Sequence, residues 1–188
     1  MRVFISVDLS DQAKKEIGKL LKKLVKKGWD VKWENSDKLH QTLVFVGFVD
    51  NKKLLEIKET CRQVVKKLKP FKISFKGLGV FPDFDWPKVI WIGLKGDLKN
   101  LAFLEKTVRK ELSNKGFSFS EKPFVPHITL GRIKRIRLAQ RREIGRQIKA
   151  LRKLDLKSEV LVDKIIIYES RLSRLGSKYF PIEKIKFS

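Results

Sequence analysis

The chain has 188 residues, with 44 Lys and Arg against 21 Asp and Glu, for a formal net charge of +23 with both histidines neutral. That length predicts one domain or two intimately packed halves able to bury a core without cross-links, and a single cysteine excludes an internal disulfide. No run of 18 apolar residues occurs, so no membrane span is expected.

The opening Met1-Arg2-Val3-Phe4-Ile5-Ser6-Val7-Asp8 turns polar too soon for a signal peptide and reads as a buried strand. A cytoplasmic, reducing setting is expected. Ser10 or Asp11 offers an N-cap. Ala13, Ile17, Leu20, Leu21, Leu24 and Val25 then fall on one helical stripe, which Gly28 ends. A short strand is expected at 30–33 and another over 43–49. The spacing of Leu54, Leu55, Ile57, Cys61, Val64, Val65 and Leu68 predicts a second helix over 51–68, with Cys61 a buried core thiol rather than a nucleophile. Strands are expected at 71–80 and 88–94. Asp97 caps a third helix on Leu101, Leu104, Val108 and Leu112, and Gly116 stops it. A strand from His127, a basic helix over 137–153, and strands near 159–168 and 178–187 complete the chain. The linker 81–87 joins two strands with no helix between them, which argues for antiparallel pairing and an α+β arrangement with helices outside and sheets facing each other.

The only two histidines, His40 and His127, lie 87 residues apart in the same frame, His40-Gln41-Thr42-Leu43 and His127-Ile128-Thr129-Leu130. Sliding the chain over itself by that offset lays strand on strand and cap on cap. It predicts a single domain, 1–188, built of two packed half-repeats. Successive strand side chains point to opposite faces. His40 and Thr42 therefore share a face, as do His127 and Thr129, while Leu43 and Leu130 point into the core. If the halves pack about a pseudo-twofold axis, both pairs meet in one cleft.

Two imidazoles on one cleft suit phosphodiester chemistry. One ring, neutral, takes a proton from the attacking oxygen; the other, charged, gives one to the departing oxygen. The threonine hydroxyls donate to nonbridging phosphoryl oxygens. The scheme needs no metal and no cofactor. A zinc site fits poorly, because no Cys, Asp or Glu joins the histidines at a recognised spacing. There is also no nucleophile elbow and no Walker-type loop.

The paired H-x-T-L frames, with the opening Arg2–Val7, "HQTLVFVG" and "PHITLGR", resemble the two-histidine (2H) phosphoesterase superfamily, and within it the RNA 2′,3′-cyclic phosphodiesterases once called 2′-5′ RNA ligases. The resemblance spans nearly the whole chain. It implies a bilobal α+β fold of two antiparallel-rich sheets facing a central groove. It also implies hydrolysis of a terminal 2′,3′-cyclic phosphate on RNA, tRNA fragments included, to a 2′-phosphomonoester. In the family scheme the histidine matching His40 is proton donor to the leaving 3′ oxygen and the one matching His127 activates water; the spacing alone leaves the two roles interchangeable. Arg132 matches a frequent family arginine and reads either as a phosphate ligand or as a surface or structural residue. Its odd separation from His127 points it to the wrong face of a regular strand, so a bulge or strand end is needed.

Three further features bear on RNA. Trp86, in the linker, and less so Trp33 and Phe84, are candidates for base stacking. The basic stretch 132–146 either tracks an RNA backbone or is a solvated helix. The positive balance favours nucleic acid, although a lysine-rich surface of the hyperthermophile kind has the same composition. A groove built within one chain makes a monomer the default. Two other functions compete: 2′-5′ ligation as the main reaction, and a noncatalytic RNA-binding module.

Overall fold

The computed structural model describes residues 1–173 and 176–188. In chain order the elements are β1 (Arg2–Asp8), α1 (Asp11–Val25), β2 (Val31–Trp33), a 3₁₀ turn (Ser36–Lys38), β3 (His40–Phe48), α2 (Asn51–Val65) and β4 (Phe71–Phe81). There follow β5 (Val89–Gly96), α3 (Leu98–Ser113), β6 (His127–Ile133), α4 (Leu138–Ala150), β7 (Asp155–Val162), β8 (Lys164–Ser173) and β9 (Gly176–Lys186).

Local chemistry sets the helix starts. The side chains of Ser10, Asp50 and Asp97 accept the backbone N–H of Ala13, Lys53 and Asn100, three residues on, which satisfies donors a helix start otherwise leaves orphaned. Gly28 and Gly116 close the ends of α1 and α3 with φ of 69° and 79°, the left-handed conformation that glycine reaches without a Cβ penalty. Each residue turns a helix by about 100°, so stripes read from sequence err at their edges. Val25 and Leu55 are exposed, while Leu24, Leu54 and Ile57 are buried. Cys61 is fully buried, and burial pushes its thiol up to about 12, the behaviour of a core residue.

Among the described residues every strand pairing is antiparallel. One sheet has the order β3-β1-β8-β9 and the other β2-β6-β5-β4-β7. The strands cross over between halves. β4, from the N-terminal half, lies beside β5, whereas β8, from the C-terminal half, lies beside β1. The C-terminal segment holds three strands where the sequence pattern suggests two. The start of β7 is polar (Asp155, Lys157, Ser158), which hides it. At Asp163 the chain then leaves one sheet for the other, so a run that looks continuous is two strands in different layers.

The same irregularity marks both histidine strands. In the first sheet Ile5 pairs with Val44 and Ser6 with Thr42, so Leu43 is an extra residue. In the second, Ile90 pairs with Gly131 and Trp91 with Thr129, so Leu130 is extra. Each is a β-bulge, which reverses the inward–outward alternation downstream. Leu43 and Val44 are consecutively buried, as are Leu130 and Gly131. The next residues, Phe45 and Arg132, return to the exposed face.

Candidate active site

His40 opens β3 and His127 opens β6, each held by the same contact. The Nδ1–H of His40 donates to the carbonyl of Lys38 at 2.7 Å, and that of His127 to the carbonyl of Val125 at 2.7 Å. A carbonyl only accepts, so the proton sits on Nδ1 in both rings and leaves Nε2 for chemistry. The Nε2 of His40 lies 3.0 Å from Thr42 Oγ1. That hydroxyl donates to a neutral ring and accepts from a protonated one.

Both imidazoles lie in the same cavity, of about 370 Å³, whose walls include Thr42, Thr129 and Arg132. The two pairs therefore meet as their strand positions predict, and Arg132 joins them through the bulge at Leu130. Burial depresses both histidines below their ordinary value. Smaller influences act on each. His40 also senses Asp8, which faces it across the β1–β3 ladder and favours its charged form, and Lys14 and His127, which oppose it. His127 senses Arg132, which disfavours its charged form.

Sequence reasoning misses Phe45, Tyr179, Arg2, Lys38 and Glu34, all of which line the cavity. Phe45 carries a usable signal, since it follows His40 by five residues as Arg132 follows His127. Arg2, Lys38 and Tyr179 arrive from β1, the turn before β3, and β9, through tertiary closure alone. The Tyr179 ring meets His40 edge-on, with centroids 5.3 Å apart.

The candidate stacking aromatics do not line this cavity. Trp86 lies under the guanidinium of Arg141, 4.8 Å from its centroid. Trp33 stacks on Trp29, with centroids 6.3 Å apart. Phe84 packs on the core, near the guanidinium of Arg152. Of the basic stretch 132–146, only Arg132 reaches the cavity. Arg141 is buried, its two terminal nitrogens donating to the carbonyls of Pro87 and Lys134 at 2.6 and 3.0 Å, so it clamps the 81–87 linker onto α4.

The family model described as the 2′-5′ RNA ligase superfamily matches residues 9–173. The chain belongs to the 2′-5′ RNA ligase superfamily. It is similar to a Thermotoga maritima superfamily protein named RNA 2′,3′-cyclic phosphodiesterase, with 36% identity over all of this chain and 96% of that protein. A Methanocaldococcus jannaschii protein of the same name shows 33% identity over 98% of this chain and 99% of its own length. The bilobal fold of this superfamily is shared with the TT0787 protein of Thermus thermophilus, at a TM-score of 0.82 and 22% identity, covering 100% and 98% of the two chains. It is shared also with Escherichia coli LigT crystallised with 3′-AMP, at a TM-score of 0.77 and 20% identity, covering 100% and 98%.

Proposed function

We propose that this protein opens a 2′,3′-cyclic phosphate at an RNA end to a 2′-phosphomonoester, by acid–base catalysis between its two histidines and without a metal ion. The observation that carries the reading is the meeting of both His-x-Thr pairs and Arg132 in one cavity. With phosphorus between the rings, His127 Nε2 takes a proton from water as its oxygen attacks. The P–O3′ bond breaks on the opposite side, and His40 Nε2–H protonates the departing O3′. Thr42, Thr129 and Arg132 donate to the nonbridging oxygens, where negative charge builds.

The assignment of acid and base follows the family scheme, in which the histidine matching His40 is the proton donor and the one matching His127 activates water; Asp8, opposite His40 in the β1–β3 ladder, is placed to support a charged His40. The metal-free reading is supported by the donor set, for among the described residues no three His, Cys, Asp or Glu side chains stand together as a metal-binding group. The names of the relatives support the substrate. The net charge of +23 suits an RNA partner, tRNA fragments among the candidates. A cytoplasmic monomer fits the lone buried thiol and a groove formed within one chain. Among the described residues no helix is long and apolar enough to cross a membrane. An origin of the domain as two half-repeats is supported by the matching bulges at Leu43 and Leu130.

The test is direct. RNA ending in a cyclic phosphate is incubated with the protein in EDTA and its ends are analysed. Conversion to the 2′-monoester is expected, and His40→Ala and His127→Ala should each slow it by about 10²–10⁴-fold while leaving the protein folded. Intact ester after long incubation with folded protein, or a loss below about tenfold in both variants, overturns the reading. A noncatalytic RNA-binding module would bind RNA and leave its ends unchanged.

A further inference from the structure

One side of the catalytic cavity differs in chemistry from the rest. Arg2, Arg132 and the two histidines give most of the cavity the character of an anion site. Glu34 lines it too, and among the described residues it is the one carboxylate that does. A carboxylate repels the phosphate held there, so it has to meet a different part of the substrate.

The chain fixes where that carboxylate starts. Glu34 follows β2, and its backbone N–H donates to the carbonyl of Leu130 at 2.8 Å. Lys38 lines the same cavity, its Nζ donating to the carbonyl of Ser177 at 3.1 Å and its own carbonyl accepting from His40 Nδ1. One short segment, 34–40, thus delivers a carboxylate, an ammonium and the His40 imidazole to one cavity. Among the described residues Glu34 forms no ion pair, with Lys38 or with any other cation. Tyr179 stands within reach of its charge: burial pushes the Tyr179 hydroxyl up and Glu34 adds to this, while Arg132, Ser177 and Arg2 act against it.

The ester narrows what Glu34 can meet. In a 2′,3′-cyclic phosphate both ribose oxygens are bonded to phosphorus, so the terminal ribose has no hydroxyl left to donate. The donors that remain are on the base. If O3′ leaves on the His40 side, that nucleoside lies toward the segment 34–40. Guanine presents on its Watson–Crick edge, in order, the O6 acceptor, N1–H and the N2 amino group. An ammonium beside a carboxylate complements that order, Lys38 donating to O6 and the Glu34 oxygens accepting from N1–H and N2–H. Uracil keeps the first two features but turns its O2 acceptor toward the carboxylate. Adenine and cytosine begin with an amino donor and continue with an acceptor, the reverse order. We propose, resting on the hydrolytic reading above, that Glu34 with Lys38 reads the base of the nucleoside carrying the cyclic phosphate and selects guanosine.

The experiment takes RNAs that end in a 2′,3′-cyclic phosphate and differ only in a terminal G, A, C or U, and measures their hydrolysis by the unaltered protein and by Glu34→Gln. We expect kcat/KM for the guanosine end to exceed that for the adenosine and cytidine ends by about tenfold or more, the scale of one hydrogen bond to a charged group. The difference should lie in KM, because the base edge is remote from the bonds that change. Glutamine keeps the shape but accepts at one position only, and should cut the guanosine preference to about threefold or less. A melting curve shows whether the variant folds, and the preference of the unaltered protein is read whether or not it does. Equal kcat/KM on all ends, a preference for any other base, or a guanosine preference that survives unchanged in folded Glu34→Gln overturns the base-reading role and leaves the hydrolytic reading standing. Failure of the unaltered protein to hydrolyse any of these ends overturns both.

Discussion

The side-chain oxygen of Gln41 accepts a 2.7 Å hydrogen bond from the backbone N–H of His127. Gln41 is fully buried, and its amide nitrogen donates to the carbonyl of Thr42 at 2.6 Å. β3 and β6 belong to different sheets and share no ladder. One buried amide from the first motif therefore tethers the start of the second and fixes the spacing between the two rings. The corresponding place in the second motif holds Ile128, so the tie is made once.

Gln41→Leu keeps the volume close but removes the acceptor. It strands a partly buried N–H, at a cost of about 1–3 kcal/mol, and frees His127 to drift. We expect kcat to fall well beyond KM, because misplacement of a proton-transfer group acts on the chemical step. Steady-state kinetics beside a melting curve checks this. Equal kcat in a variant that melts lower would make Gln41 a matter of stability alone.

Both histidines are depressed below their ordinary value of about 6.5. The unfolded chain therefore binds more protons than the folded one just below that pH, and stability should fall as pH drops from about 6.5 through the lowered folded values, then level off. Catalysis needs His40 charged and His127 neutral, so kcat/KM should peak on the acid side of about 6.5. A bound phosphate anion favours both charged rings and should move the kcat optimum upward from there. A profile of kcat/KM flat from about pH 5 to 8 would contradict this.

Arg132→Ala should raise KM roughly tenfold or more, the scale of a lost charge-assisted hydrogen bond at an anion. Arg132→Lys retains the charge without the two-pronged fork and should recover only part of it. Increasing salt should weaken substrate binding less in the alanine variant than in the unaltered protein. Equal KM in all three would remove Arg132 from the phosphate site.

Gly79 lies beneath the ring of Trp91, and a Cβ there would run into that indole. Trp91 in turn packs 5.2 Å from Phe81 and 6.1 Å from His127, centroid to centroid. Gly79→Ala should cost about 1–3 kcal/mol through overpacking, visible calorimetrically as a melting temperature lower by several degrees. It should also slow turnover by displacing the floor under His127. Unchanged melting would mean that the indole has room to tilt.

The histidine–threonine face is legible because a two-residue period needs no tertiary knowledge, and the helix starts because Ser10, Asp50 and Asp97 act within their own first turns. The bulges are not. Nothing in Thr42-Leu43-Val44 or Thr129-Leu130-Gly131 announces an added residue, so the arrival of Arg132 on the histidine face requires the paired strand to be seen. Trp86 reads as free because it stands in a Pro-flanked linker, and its partner Arg141 lies 55 residues later in the sequence. Tyr179 and Arg2 come from opposite ends of the chain, and no local pattern links them.

The exchange of β4 and β8 between the two sheets has a consequence for synthesis. The sheet carrying His40 gains its third and fourth strands only from residues 164–173 and 176–186. A nascent polypeptide leaving the ribosome cannot finish its first lobe before residue 186 has emerged. Neither lobe matures alone, and a half-translated product has no working groove to expose.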